Sequence, residues 1–268
     1  MRNEKLFIIP REYTGQSESP TSNIIQGAET SLQSTGDILK GELNNNYVLK
    51  DSEGKLYVWR VPKENPTVFS AIHEELTHAG FLTSGGSYRF RSIPEQVDFI
   101  KNTSRAGLKT LPTLFTDGYG MLTPFIQGVP FDVYLRQGNL DATVKVLDNM
   151  HLAHRLDIIF GDRWVKNTIV TPDEDIVEMD FDIALQGSYA REFEIAQTLY
   201  HMTHFSLDRS AMIAYLHYYF SQTKIMDDYN SSVVYLFLKK YSEYFKDREY
   251  EGRDGDIRKE INDLTLSA

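Results

Sequence analysis

The amino-acid sequence predicts an α+β fold, with strands in the first half of the chain and helices in the second. Residues 35–62 alternate short β-branched and aromatic runs with turns rich in Asn, Asp and Gly, which is typical of antiparallel strands. Apolar residues recur at three- and four-residue spacing over 142–158, which predicts an amphipathic helix. Helical periodicity also covers 190–204, 207–223 and 230–247.

A hairpin is predicted between these helices. Two β-branched runs, Thr168–Val170 and Ile176–Met179, flank a turn with the sequence Thr-Pro-Asp-Glu-Asp. Asp162 and Asn167 precede the first run, while Asp180 and Asp182 follow the second. One short unit therefore brings an amide and several carboxylates to one end of two strands, although acidic residues near a hairpin are also ordinary turn formers.

The composition limits the classes of function. The chain has 268 residues, of which 41% are hydrophobic and 12% aromatic, so it is long enough for one large domain or two lobes. The absence of cysteine excludes disulfides, thiolate catalysis and zinc–thiolate sites.

The net charge of −10 argues against broad binding to nucleic acid or to an anionic membrane, because no basic stripe is present. It is compatible with a cationic substrate without requiring one. Neither a signal-peptide pattern nor an apolar run of about eighteen residues occurs. We therefore expect a soluble, cytoplasmic protein with no membrane partner.

The residue types around the hairpin suit phosphoryl transfer from ATP. In that chemistry one Asp orients or deprotonates the attacking hydroxyl, while an Asn and a second Asp hold Mg²⁺ against the phosphates. Mg²⁺ prefers oxygen ligands, usually one or two protein groups together with phosphate and water. The spacing therefore indicates Asp162, Asn167 and Asp180 as the catalytic residues, with Asp162 acting on the hydroxyl and Asn167 and Asp180 holding the metal.

The segments Gly161-Asp162, Asn167 and Asp180-Phe-Asp182 resemble the catalytic and metal loops of the protein-kinase-like superfamily. They are most similar to the aminoglycoside phosphotransferase and choline kinase branch. The resemblance implies a two-lobed α+β fold with an antiparallel β N-lobe over 1–120, a hinge over 121–128 and a mainly helical C-lobe over 129–268. It also implies that Asp182 supports or shares the second metal.

The resemblance extends to the nucleotide phosphates. Gly41, Asn44 and Tyr47 are similar to a Gly-x-x-Asn-x-x-Tyr loop, so we expect Gly41 and Asn44, Asn45 and Asn46 to form a phosphate-covering loop that tolerates positive φ. Arg60 stands where this superfamily has the strand cation that contacts the α- and β-phosphates.

A helix glutamate should hold Arg60. Glu95, at the start of a predicted helix over 94–105, is the favoured partner, and Glu74 or Glu75, on a predicted helix over 68–79, are the alternatives. If Glu95 is the partner, residues 64–90 form an insertion in which residues 84–87 are a mobile loop.

The segment after Gly120 resembles the hinge whose backbone groups bind the adenine edge. This implies contacts from Met121, Leu122, Thr123 and Phe125, since Pro124 has no N–H.

Three functions are compatible with this pattern. The first is a Mg²⁺- and ATP-dependent kinase that acts on a hydroxyl of a small molecule, possibly a cationic one. The second is an atypical protein kinase, and the third is a nucleotide-binding pseudokinase, because Phe160, Arg60 and Glu194 depart from the usual residues. The sequence leaves open the acceptor, the choice between ATP and GTP, and the oligomeric state.

Overall fold

The computed structural model describes residues 7–8, 30–63, 65–250, 253–254 and 256–264. The chain forms two compact units. The first takes its residues from 1–69, 92–102 and 111–126, and the second from 70–91, 103–110 and 127–268.

The first unit is built on a five-stranded antiparallel sheet. Its strands, in spatial order, are β3 (Gln33–Lys40), β4 (Asn44–Lys50), β5 (Leu56–Pro62), β8 (Met121–Pro124) and β7 (Phe115–Thr116). Two shorter strands, β1 (Phe7–Ile8) and β2 (Thr30–Ser31), pair in parallel. The core of this unit is Leu32, Leu49, Tyr57, Trp59 and Leu122. The strands predicted over 35–62 are confirmed, and so is the turn after β4, where Gly54 N donates to Asp51 O at 3.1 Å.

The expected phosphate loop differs from the prediction. Residues 41–43 alone connect β3 to β4, and Asn44–Asn46 are already in β4, paired with β5. None of these residues has positive φ. The prediction that Asn44–Asn46 belong to a loop is therefore wrong, because a three-residue connection closes by a bond from Gly41 N to Asn44 O (3.2 Å) and the strand begins at Asn44. A Cβ on Gly41 would lie 3.1 Å from that oxygen. The tight turn therefore favours glycine because a side chain would lack space, and not because φ is positive.

The second unit is mainly helical. Its helices are α3 (Phe131–Arg136), α4 (Asp141–Arg155), α5 (Ala190–Phe205), α6 (Arg209–Thr223), α7 (Ser231–Phe245) and α8 (Arg258–Asp263). Every residue of α5 except Arg191 is buried, so this helix runs through the middle of the core. The helices predicted in this part of the chain are confirmed, with ends that differ by up to about three residues.

Short strands position the loops between these helices. β10 (Thr168–Val170) and β11 (Ile176–Glu178) form the predicted antiparallel hairpin, and β9 (Val129–Pro130) pairs with the other side of β10. β12 (Ile183–Gln186) pairs with β6 (Ser87–Phe90). A last pair, β13 (Glu249–Tyr250) and β14 (Arg253–Asp254), lies near the end of the chain. The α+β class predicted from the sequence is confirmed.

The segment 64–90 is more ordered than expected. It contains α1 (Pro66–His78), a 3-10 turn (Leu82–Ser84) and β6. The residues expected to be a mobile loop form a hydrogen-bonded turn in which Gly86 N donates to Phe81 O at 3.0 Å. The other predicted helix of this region is α2 (Ile93–Arg105). Across the part of the chain that is described, no helix is long and apolar enough to span a bilayer.

Candidate active site

Asp162 lies in the irregular segment between α4 and the hairpin. Its carboxylate is half-buried, and Gln197 of α5 donates from Nε2 to Asp162 Oδ1 at 2.7 Å. Burial raises the pKa of Asp162 to about 6, although the Gln197 bond and the nearby Arg163 and Lys166 favour the ionised form. A carboxylate with a pKa close to neutral can take a proton from a hydroxyl and release it again.

Asn167 and Asp180 are brought together by the hairpin. Met179 N donates to Asn167 O at 2.8 Å, one step beyond the last ladder pair, and Asn167 Nδ2 donates to Asp162 O at 3.2 Å. Asp180 has φ of 65°, a left-handed conformation that Asp and Asn adopt more readily than other residues with a side chain. A β-branched residue would therefore strain position 180. Through the two hydrogen bonds of Asn167, the predicted residues Asp162, Asn167 and Asp180 belong to one connected group.

Asp182 follows two residues after Asp180. It is buried, and its carbonyl accepts a hydrogen bond from Arg91 N at 2.6 Å. Together with Asn167 and Asp180 it supplies amide and carboxylate oxygens, the donor set that Mg²⁺ prefers. Within the described residues there is no cluster of three or more His, Asp or Glu side chains suited to a metal.

Arg163 connects the two loops. It is buried, donates from Nη1 to Glu178 Oε2 at 3.0 Å, and donates from Nη2 to the carbonyls of Met179 (3.1 Å) and Asp180 (3.0 Å). Burial raises the pKa of Glu178, while Arg163 and the Thr168 hydroxyl oppose that shift. Removing one partner from a buried ion pair leaves an uncompensated charge and costs about 3–5 kcal/mol.

Glu194 anchors the segment that precedes Asp162. Its Oε1 accepts from Gly161 N at 2.7 Å, and its Oε2 is 2.6 Å from His154 Nε2 and 3.4 Å from Phe160 N. All of these groups are buried. Glu194 thus places a carboxylate that binds the backbone next to Asp162.

Phe160 packs in the same region. Its ring lies 5.7 Å from that of Phe181, and the Arg163 guanidinium lies 5.4 Å and 5.3 Å from the two ring centres. Arg91 donates from Nη1 to the carbonyls of Phe160 (3.0 Å), Phe181 (3.0 Å) and Ile183 (2.7 Å). Two arginines therefore hold the loops that carry Asp162 and Asp180.

The sequence analysis missed four of these supporting residues, which are Arg91, Arg163, Glu178 and Gln197. A buried Glu on the last position of the hairpin strand was a possible signal, since a charge facing the core requires a partner. Arg91 and Gln197 gave no such signal, because they lie about 70 and 35 positions from their partners in the sequence.

A pocket in the second unit contains Asp162. It is lined by Ile72, Glu75, Leu76, Asp162, Ile183, Leu185, Phe193 and Gln197. The space left in it corresponds to about one water molecule. Burial, followed by the charge of Asp162, raises the pKa of Glu75 to about 8, so the two carboxyl groups together hold a proton at neutral pH.

The glutamates considered as partners of Arg60 make different contacts. Glu74 pairs with Arg248 at 2.7 Å, and Glu75 accepts hydrogen bonds from Tyr241 and Gln197. Glu95 Oε2 accepts from Ser92 N (2.8 Å) and Ser92 Oγ (3.0 Å). Because Ser92 directly precedes α2, this is the carboxylate half of a capping box.

The other residues predicted to contact nucleotide lie in the first unit. Arg60 is half-buried on β5, where it pairs with Asn46 on one side and Met121 on the other. Met121, Leu122 and Thr123 belong to β8. Phe125 N donates to Leu56 O at 3.1 Å, so this N–H is used within the sheet, and adenine binding would depend on other backbone groups.

The chain is similar to known proteins in structure and not in sequence. No family model matches the chain, and no curated protein matches it in sequence. Among solved structures, the chain is similar to Rv3197 of Mycobacterium tuberculosis in complex with erythromycin, with 14% identity and a TM-score of 0.38 over 56% of this chain. That match spans 46% of the other chain, about half its length. The chain is also similar to Plasmodium vivax ethanolamine kinase, with 10% identity and a TM-score of 0.48 over 87% of this chain and 82% of that one.

Gly161→Ala should destabilise the second unit strongly. Gly161 has φ of 117°, and an added Cβ would lie 1.8 Å from the backbone oxygen of Ile183. The control is Gly107→Ala, which also has positive φ (85°) but no atom within 4 Å of the new Cβ. Urea unfolding should show a loss of about 1–2 kcal/mol for the control and about 3 kcal/mol or more for Gly161→Ala. Equal losses would mean that backbone strain alone matters.

The paired carboxyl groups should make stability depend on pH. Since the folded pKa of Glu75 (about 8) exceeds its ordinary value of 4.5, the native state holds more protons between these values, and the free energy of unfolding falls as pH rises through that range. Glu75→Gln removes this dependence, and Glu74→Gln on the same helix is the control. Between pH 5 and pH 8, wild type should lose on the order of 2 kcal/mol more than Glu75→Gln in urea titrations. Parallel curves would contradict the assignment.

Proposed function

We propose that this protein is a phosphotransferase that moves the γ-phosphate of ATP to a hydroxyl of a small molecule, with Mg²⁺. The observation that carries the proposal is the connected group of Asp162, Asn167 and Asp180. Asn167 donates to the backbone carbonyl of Asp162, Arg163 donates to that of Asp180, and Glu194 accepts from the N–H of the residue before Asp162. Positioning and electrostatics supply most of the catalysis in such reactions, so a rigid set of these three side chains is what the chemistry requires.

Asp162 acts as the catalytic base. It accepts the proton of the acceptor hydroxyl as the new O–P bond forms and the bond between the γ-phosphate and ADP breaks. The Gln197 Nε2 bond at 2.7 Å fixes the direction of the carboxylate, and the raised pKa of Asp162 brings its proton affinity near working pH. Proton transfer to a positioned group of this kind contributes about 10²–10⁴-fold to rate.

Asn167 and Asp180 hold Mg²⁺, with Asp182 supporting or sharing a second ion. The bound metal neutralises charge that develops on the phosphates. The amide of Asn167 is oriented by its Nδ2 bond to Asp162 O, which directs its Oδ1, the atom suited to a cation, away from that carbonyl.

Residues of the first unit bind the nucleotide. Arg60, supported by Glu95, contacts the α- and β-phosphates, and its fixed charge and planar donors suit bidentate binding. The turn at Gly41 and the Asn44–Asn46 strand approach the phosphates, and backbone groups near Met121–Phe125 contact adenine. In this proposal the first unit corresponds to the N-lobe and hinge, and the second to the C-lobe. The cytoplasmic location of the protein stays a prediction.

A small acceptor fits the pocket beside Asp162 better than a protein segment does. The pocket holds about one water molecule between mostly apolar side chains, so an acceptor would reach Asp162 with a hydroxyl group and not with a bulky segment of chain. The pseudokinase alternative is weakened by Glu194, whose carboxylate still binds the backbone beside Asp162. The small-molecule kinase is therefore preferred over both alternatives.

Mg²⁺ and ATP together should raise the thermal midpoint of wild type. A ligand at about 100 times its Kd stabilises the folded state by about 2.7 kcal/mol, which corresponds to roughly 5 °C or more for a chain of this size. Asp180→Asn should lose this rise, since Asn tolerates the left-handed backbone at position 180 while the charge is removed. Asp173→Asn in the exposed hairpin turn is the control. No rise with either ATP or GTP in wild type would refute the nucleotide proposal.

Asp162→Asn should keep the Mg²⁺-ATP stabilisation but lose phosphate transfer. In a screen of alcohols, sugars and amino alcohols that follows ADP formation, the rate with any active acceptor should fall about 10²–10⁴-fold. Asp173→Asn should match wild type. Turnover by Asp162→Asn at the wild-type rate would exclude Asp162 as the base and leave a different group to be found.

A further inference from the structure

Helix α1 fills most of the pocket beside Asp162. Ile72, Glu75 and Leu76 line this pocket, and they lie one helical turn or less apart, so one face of the helix is directed at Asp162. The space that remains corresponds to about one water molecule. A hydroxyl group has that size, but the carbon atoms that carry it do not fit behind it. An acceptor can therefore enter this pocket only if α1 moves.

Glu75 holds the helix in this position from inside the pocket. Its Oε1 accepts hydrogen bonds from the Tyr241 hydroxyl and from Gln197 Nε2 (3.4 Å), and the same Nε2 donates to Asp162 Oδ1 at 2.7 Å. Burial, followed by the charge of Asp162, raises the pKa of Glu75 to about 8, so Glu75 carries a proton at neutral pH and is not repelled by Asp162. The polar groups of the pocket are thus satisfied while α1 occupies the place of an acceptor.

The other contacts of α1 lie at the surface. Glu74 pairs with Arg248 at 2.7 Å, where the two side chains are 49% and 47% exposed, and the His78 ring stacks on that of Tyr244. Ion pairs as exposed as this one contribute little to stability. Of the thirteen residues of α1, all of which the structure describes, Leu76 alone is buried. An element with so little buried apolar surface separates from the core at a lower free energy than global unfolding requires.

The chain directly after α1 is anchored in the core of the second unit. Ala79 and Phe81 are buried, and the Phe81 ring lies 4.7 Å from that of Phe193 in α5. Residues 70–91 and the partners of Glu74 and Glu75 all belong to this unit. The helix can therefore turn about its C-terminal end while the core of the second unit stays intact.

We propose that α1 is an autoinhibitory cover, which occupies the acceptor's place beside Asp162 and must move away about its anchored end before phosphate is transferred. This proposal rests on the proposed function, since it takes Asp162 as the group that receives the acceptor hydroxyl. Because only the open form admits an acceptor, the apparent affinity for that acceptor is reduced by the fraction of protein that is open. Loosening α1 should therefore lower the acceptor concentration needed for half-maximal rate, and locking α1 should stop transfer.

The test releases or locks α1 in the full chain. Since the chain has no cysteine, Glu74→Cys combined with Arg248→Cys introduces a single pair of thiols, at positions whose side chains meet. Without a cross-link this double variant lacks the ion pair and should open more often, and a short bis-maleimide then locks it closed. The matched control is Lys109→Cys with Asp175→Cys, an ion pair outside α1 with the same 2.7 Å separation and similar exposure, 53% and 42%. Thermal unfolding verifies that each form is folded.

Carboxyl labelling measures opening without nucleotide or acceptor. A water-soluble carbodiimide is larger than the space left in the pocket, so its reaction with Asp162 in the presence of glycinamide, followed by mass spectrometry, reports how often α1 moves away. Relative to wild type, labelling of Asp162 should be about fivefold faster in the uncross-linked double variant, the factor that loss of a surface ion pair gives. It should be about tenfold slower after cross-linking, because local opening is then prevented. The control pair should label like wild type in both forms.

Amide hydrogen exchange tests the unaltered protein. In wild type, residues 72–79 should exchange about tenfold or more faster than the buried helix α5, because they exchange by local opening. The cross-link between positions 74 and 248 should slow exchange of residues 72–79 and leave that of α5 unchanged.

Either of two results would overturn the proposal. The first is equal labelling of Asp162 in the cross-linked and uncross-linked double variant, and the second is exchange of residues 72–79 as slow as that of α5, which would make α1 a permanent wall. Both measurements are independent of nucleotide. Absence of the Mg²⁺-ATP stabilisation together with the expected labelling would refute the kinase proposal, whereas that stabilisation together with labelling that ignores the cross-link would refute the cover alone.

Discussion

The buried ion pair between Arg163 and Glu178 is the interaction on which the candidate site depends. Arg163 follows Asp162 in the chain, and Glu178 ends the hairpin strand two residues before Asp180. Because the same guanidinium also binds the carbonyls of Met179 and Asp180, the two loops cannot move apart without exposing a buried charge. A hairpin alone would fix the strands but not the loops at their ends.

A second constraint is the number of carboxyl groups gathered in a small volume. Asp162 and Glu75 share the donor of Gln197, while Glu194 and Glu178 are buried within the surrounding scaffold. The scaffold carboxylates are each bound to a cation, an imidazole or backbone N–H groups, which offsets their burial. Asp162 and Glu75 lack a direct ion pair of this kind, and burial raises the pKa of Asp162 to about 6 and that of Glu75 to about 8.

Sequence patterns predicted the parts of the fold that depend on neighbouring residues. The hairpin from Thr168 to Glu178 was recognisable because β-branched runs and a turn are local signals. The Asn44–Asn46 run was misread as a loop, since Asn favours turns by local hydrogen bonding. In the structure all three pair with β5, and Asn45 and Asn46 also pair with β3. A sheet thus supplies partners that a local pattern cannot reveal.

The sequence by itself determined the α+β class, the helices and hairpin of the second half, and the candidate group of Asp162, Asn167 and Asp180. Periodicity and short spacings determine these features, and both can be read along the chain. The tertiary structure alone decided that Arg91, Arg163 and Gln197 hold the loops, and that Glu75 faces Asp162. Those contacts join residues from 15 to 122 positions apart. Their partners are determined by burial and by the need to satisfy each buried charge, which no local pattern specifies.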